Sequence, residues 1–386
     1  MAAVRVKVES SIWDWVSNAA SFEGVDEKVV SHFYKWKSNE GQPTYAQIEN
    51  LSRKIHIPFG YFFLKTPPKE QFPLLEFRTV SSVTPKPSRN LMDTYYQMAA
   101  IQDWMRDYLL EQGNERLPFV GSCKNNENPE EIAAVIRADI DIAKDWYTQS
   151  LNIKESFNKF RNLFESAGIL ILQNGVVGQN NYRRLSIDEF RAFTLIDEYA
   201  PLIFINNNDT AGGKLFSLLH ESVHIWLGLH SFFNENSNLV FNISPRETLC
   251  NAAAAELLVP NILFIDKWDN THITVLNDKI TCIAKYFKCG VITIARRALD
   301  NNYINQSQYK EFAAKIIEKT RAGNKNSSGS GDYYKTAISR YGEPLVLALD
   351  NSIKEGKTLY TEAFRLTGTN RGTFANLVAE IREIHG

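Results

Sequence analysis

Residues 216–230, FSLLHESVHIWLGLH, set the tightest constraint on this chain, because an otherwise apolar stretch carries His220, Glu221 and His224. Most other positions are Leu, Ile, Val, Phe or Trp, so the segment reads as a buried helix. Unpaired imidazoles and a carboxylate are costly in such surroundings, and a fold that keeps them must give them partners. Histidines at i and i+4 lie roughly 40° apart around a helix and present both imidazoles on one face. Glu221 points roughly 100° away from His220. This is the HExxH arrangement, in which a shared metal ion acidifies a water molecule and the glutamate accepts its proton. The plainer alternative is a core histidine pair, satisfied by each other or by backbone.

A catalytic zinc site needs a third protein ligand. His230 stands where the pattern HExxHxxGxxH places its last histidine, but the glycine, Gly228, comes one position late. All four methionines (Met1, Met92, Met98, Met105) precede the motif, so no Met-turn follows it. Glu247, on the helical stretch PRETLCNAAAAELLVP after a loop of about 20 residues, is the better candidate, with His230 as the alternative. Asn251, one turn on from Glu247, is placed to hold the ligating carboxylate. The run AAAAELLV lets this helix press closely on the HExxH helix. Glu256 projects from a different side and reads as a surface or capping charge.

The 386 residues allow two or three domains, and 44% hydrophobic with 23% charged residues is a globular composition. A net charge of -1 gives no general attraction to nucleic acid or to an anionic membrane. The opening MAAVRVKVESSIWDWV lacks the apolar core of a signal peptide, and no window approaches a membrane span. Cys123, Cys250, Cys282 and Cys289 show no CxxC spacing, which points to a reducing cytosol rather than a disulfide framework.

Short helical pieces are expected over 26–64: DEKVVSHFYKWKSNEG closing at Gly41, a second opening at Pro43-Thr44, then PFGYFFL. Such pieces suit a helix-turn-helix bundle. Over residues 1–80, however, ten Lys/Arg stand against nine Asp/Glu, without the basic face of a DNA reader. A Pro-rich connector over 67–88 and a long helix at about 90–113 follow. Beyond about 128 the chain reads as α+β: NPEEIAAVIRADI and ESFNKFRNLFESAG as helices, GILILQ, FRAFTLI and PLIFIN as strands. The segment AGNKNSSGSG (322–331) is a flexible linker to a tail of about 55 residues.

Three separated segments, FRAFTLIDEYAPLIFINNND, FSLLHESVHIWLG and ETLCNAAAAELLVP, resemble in order and spacing the ImmA/IrrE family of metallo-endopeptidases. PTYAQIENLSRKIHIPFGYFFLKTPP and LLEFRTV are similar to the degenerate Xre-type helix-turn-helix fused to such peptidases, and residues 332–386 to a C-terminal module of the same subgroup. The resemblance implies a helical N-terminal module (1–80), a connector with a long helix (81–127), and a zincin-like core with a small sheet (128–321). The linker (322–331) and a small helical module (332–386) complete the chain. It also implies Zn²⁺ held by His220, His224 and Glu247, with Glu221 as general base. A local departure is Ser222-Val223 between the histidines, where the family often has Leu-Gly or Leu-Ala; neither position supplies chemistry.

By this resemblance the expected function is cleavage of a specific protein such as an Xre-type repressor. The alternative is an antitoxin-like or transcriptional regulator that binds a toxin or other partner, its metal site structural or idle. A DNA-binding repressor is the weakest reading, and no membrane partner is expected. A water-accessible site with one carboxylate ligand also admits Mn²⁺ or Fe²⁺. PLIFIN is placed either to pair an extended substrate as an added strand or to serve as a core strand. Phe190-Arg191 reads as cleft or as packed corner.

Overall fold

Capping residues and short amphipathic runs divide the N-terminal part into helices α1 (Ser10–Ala19), α2 (Glu27–Lys37) and α3 (Tyr45–Ile55), with a 3-10 turn at Phe59–Phe63. The computed structural model describes residues 4–20, 22, 24–70, 87–229, 231–233, 245–323 and 333–385. Thr44 opens α3 as expected, through a capping box with Gln47. Helix α2 ends earlier than Gly41: the Ser38 hydroxyl bonds back to the Tyr34 carbonyl, and Asn39 takes a left-handed φ of 62°. Trp13 packs on Phe33, Trp36 and Phe62 to form a core of its own. The chain divides into two units, residues 1–75 with 85–94, and 76–84 with 95–386. Residues 71–86 of the connector, residues 324–331 of the linker and His230 lie outside the described residues.

The second unit is α+β, the expected fold class. It takes in most of α4 (Arg89–Glu111), then α5 (Pro129–Asp139), α6 (Ile153–Ser166), β1 (Leu170–Asn174), β2 (Val176–Val177), β3 (Asn180–Arg184), β4 (Ala192–Leu195) and β5 (Leu202–Asn206). The HExxH helix is α7 (Ala211–Leu227), followed by β6 (Ser231–Phe233) and α8 (Pro245–Leu258). Helices α9 (Asn261–Asp269), α10 (Leu276–Tyr286), α11 (Val291–Asp300) and α12 (Gln306–Gly323) complete the core, and α12 runs two residues into the expected linker. After it come α13 (Tyr333–Tyr341), α14 (Glu343–Lys354), α15 (Tyr360–Thr367) and α16 (Arg371–His385).

The main sheet has the order β1-β5-β4-β6, with β1 parallel to β5 and the other pairs antiparallel. Its inner strands are buried on both faces, which explains their continuous apolar reading rather than an alternating one. PLIFIN is β5, flanked by β1 and β4. It is therefore a core strand, and no edge of it is open to a substrate strand. Helix α7 packs on β4 and β5, and α13 packs on β1, the end strand of the sheet. Arg161 links that junction, donating to Glu165, to the Ile171 carbonyl and to the Ile338 carbonyl. Among the described residues no single helix is long and apolar enough to cross a membrane.

Two glycines let α7 sit where it does. Gly228 ends the helix at φ 67°, and a Cβ there would stand 3.1 Å from the Gly121 Cα. Gly212, in the first turn, leaves room for Gly290 at the start of α11, where a Cβ would stand 2.8 Å from that residue's Cα. The loop before α5 closes the other end of α7: the amides of Gly121 and Cys123 donate to the Ile225 and Trp226 carbonyls at 2.9 and 2.8 Å. These bonds add acceptor partners in the last turn of the helix, where the Ile225 carbonyl also takes the Gly228 amide.

Candidate metal centre

The apolar residues of α7 fix its burial, and that burial carries His220, Glu221 and His224 into the interior, at 0%, 0% and 3% exposure. Four residues apart on one helix, His220 and His224 bring their Nε2 atoms to 3.1 Å of each other. Glu247 arrives from the first turn of α8, where the helix dipole favours a carboxylate. Its Oε2 lies 3.2 Å from His220 Nε2 and its Oε1 3.5 Å from His224 Nε2.

Helix α8 reaches this position because both of its contacts are specified. Ala253, Ala254 and Ala255 are buried small residues, and they let α8 approach α7 and α5 closely. At its far end the carbonyls of Leu257, Leu258 and Val259 receive hydrogen bonds from Arg137, Trp146 and Arg297. The two guanidinium groups also complement the negative end of the helix dipole. Glu256 is a capping charge rather than a surface one: it accepts the Asn261 amide at the start of α9 and pairs with Arg297 at 2.6 Å.

The three donor atoms suit one small cation. A tetrahedral ion with bonds of about 2.0–2.1 Å holds its ligand atoms roughly 3.3–3.4 Å apart, and the separations here are 3.1, 3.2 and 3.5 Å. Two imidazoles and one carboxylate leave the fourth tetrahedral position to water or substrate. The imidazoles close the site on the α7 side, whereas the Glu247 side chain is 36% exposed and marks the open side.

The electrostatics distinguish the two imidazoles. Burial opposes charge on Glu247, but chiefly the hydrogen bond with His220 and the charge of that imidazole bring its carboxyl down to about 2. Burial takes His224 down to about 3, which makes it the neutral imidazole that a metal ligand must be. For His220 burial acts in the same direction but is outweighed, chiefly by the hydrogen bond and charge of Glu247, so its pKa rises above the usual value. The Cys250 thiol lies 3.9 Å from His224 Nδ1, and burial raises its pKa well above the ordinary value, so it stays neutral.

The Asn251 side chain acts on the His220 ring, where it helps to raise the pKa. Such outer partners fix the ring and its tautomer. Asn251→Ala is therefore expected to weaken metal binding about 10- to 100-fold, read from competition with a chromophoric zinc chelator, while the unfolding midpoint moves little.

The structure brings His220, His224 and Glu247 together, with Glu221 next to His220 on α7; among the described residues no other cluster of this kind is found. Phe190 and Arg191 form a packed corner: Phe190 is buried against Phe193 and Phe204, and Arg191 pairs with Asp209 at 2.7 Å. The sequence gives no sign of Thr194, whose hydroxyl meets Glu221 from β4.

An α+β core with a His-His-Glu centre of this geometry is compatible with a metallopeptidase. Residues 164–299 match the family model of the IrrE N-terminal-like domain, peptidase family M78, and this match supports a metallopeptidase of the ImmA/IrrE kind over that span. Residues 341–380 match a domain of unknown function, DUF8813, and neither span reaches residues 1–80. Comparison with curated proteins and with solved structures gave no match.

Proposed function

We propose that the protein is a zinc-dependent endopeptidase that cleaves a specific regulatory protein, such as an Xre-type repressor, in the cytosol. The observation that carries this reading is the set of three donor atoms 3.1–3.5 Å apart on two packed helices. His220, His224 and Glu247 would hold the metal, which when bound supplies Lewis acidity to the scissile carbonyl and to the attacking water. Glu221 accepts the proton of that water on its carboxylate as the carbon–oxygen bond forms. It then delivers the proton to the departing amine nitrogen as the carbon–nitrogen bond breaks. Four free cysteines, three of them buried, suit a reducing compartment.

A second reading, in which the protein binds a toxin or repressor and the metal centre is structural, rests on the presence of an additional domain at 341–380 beside the peptidase span. One assay separates the two. Zinc-loaded protein incubated with a purified Xre-type repressor is expected to cut it at a defined bond, and EDTA is expected to stop the reaction. A repressor left intact, yet bound equally by the wild type and by His220→Ala, contradicts the peptidase reading and supports the second.

A further inference from the structure

Glu221 is a buried carboxylate on an apolar helix, so its orientation depends on what donates to it from neighbouring elements. Thr194, wholly buried on β4, places its Oγ1 2.5 Å from Glu221 Oε2 and 3.2 Å from the Glu221 carbonyl oxygen. A hydroxyl has one proton to give, and the shorter, charged acceptor takes it. Both ends of this hydrogen bond are stiff. Strand β4 is paired with β5 through Thr194–Ile203 and with β6 through Thr194–Ser231, and α7 packs directly on it. A β-branched side chain has few χ1 choices, so the hydroxyl is offered from one fixed place.

We infer that Thr194 is the positioning residue for Glu221: its hydroxyl holds the carboxylate in one rotamer, ready for proton transfer. The inference rests on the peptidase reading for its catalytic consequence, but not for the interaction itself. The alternative is that Thr194 merely fills space between the sheet and α7.

A double-mutant cycle on the metal-free protein separates positioning from packing. Thr194→Val keeps the volume and removes the donor. It is expected to lower the folding equilibrium constant about tenfold or more when Glu221 is present, and less than about threefold in a Glu221→Leu background. An equal loss in both backgrounds overturns the inference. Should Thr194→Val not fold, Thr194→Ala and Thr194→Ser are compared in the same two backgrounds.

With zinc bound, and a quenched-fluorescent peptide selected by the wild-type protein, Thr194→Val is expected to lose at least about tenfold in kcat with KM nearly unchanged. Thr194→Ser is expected to recover most of that loss. If Thr194→Val cleaves as fast as wild type while Glu221→Gln is inactive, the positioning role fails and the peptidase reading stands. If Glu221→Gln itself cleaves normally, the peptidase reading fails, and the stability cycle still decides whether Thr194 holds the carboxylate.

Discussion

Replacing Glu221 by Gln is expected to abolish peptide cleavage, with kcat falling about 10²- to 10⁴-fold, the range for loss of a positioned general acid–base. The substitution changes one oxygen to an amide and keeps the side-chain volume in a fully buried position. The amide cannot accept the proton of the attacking water. Gln still offers an oxygen to the Thr194 hydroxyl, so the packing of α7 on β4 should survive. Since Glu221 is not among the three clustered donors, zinc content should stay at the wild-type level. Parallel measurement of kcat, bound zinc and unfolding midpoint checks all three points. Zinc lost together with activity would mean that Glu221 acts through the metal site itself.

The largest effect on stability is expected at Trp226. This side chain is fully buried two residues past His224, stacked on Phe119 with ring centroids 4.5 Å apart and set edge-on to Phe164 at 6.2 Å. Its indole nitrogen donates to Asp139 at 2.6 Å. Trp226→Ala removes the ring from the centre of the core and is expected to cost about 3–5 kcal/mol. Loss of the hydrogen bond adds little, because Asp139 is exposed and water replaces the donor. Packing therefore dominates, and Trp226→Phe, which cannot donate, should recover more than half of the loss. The check is denaturant unfolding of the two variants; equal losses would show that the Asp139 bond matters more than the ring. Because Trp226 anchors the turn that carries His224, the Ala variant should also bind zinc more weakly.

The parts of the site legible in the sequence are those encoded over short distances. His220, Glu221 and His224 share one helix, and helical periodicity alone gives their faces. Glu247 follows about 20 residues further on, on a helix whose alanines announce close packing. The partner of Glu221 is hidden because Thr194 lies in a strand 27 residues upstream, joined only by the crossing of α7 over β4. Asn251 was read from its spacing to Glu247, and spacing along one helix says nothing about its influence on His220 of α7. Strand order was hidden for a similar reason. The apolar run of β5 fits an exposed substrate-pairing edge or an inner strand equally well, and only the pairing with β1 and β4 decides. The early end of α2 turns on a single serine bonding back to its own helix, a choice that apolar periodicity does not register.

The central claim is that His220, His224 and Glu247 together hold one divalent ion, and metal stoichiometry tests it most directly. Purified protein dialysed against buffered zinc should contain about one ion per chain by elemental analysis. His220→Ala and Glu247→Ala should each bind at least about 100-fold more weakly, beyond the usual cost of losing an outer partner. Wild-type protein that takes up no zinc, or variants that take it up as tightly as the wild type, would contradict the account.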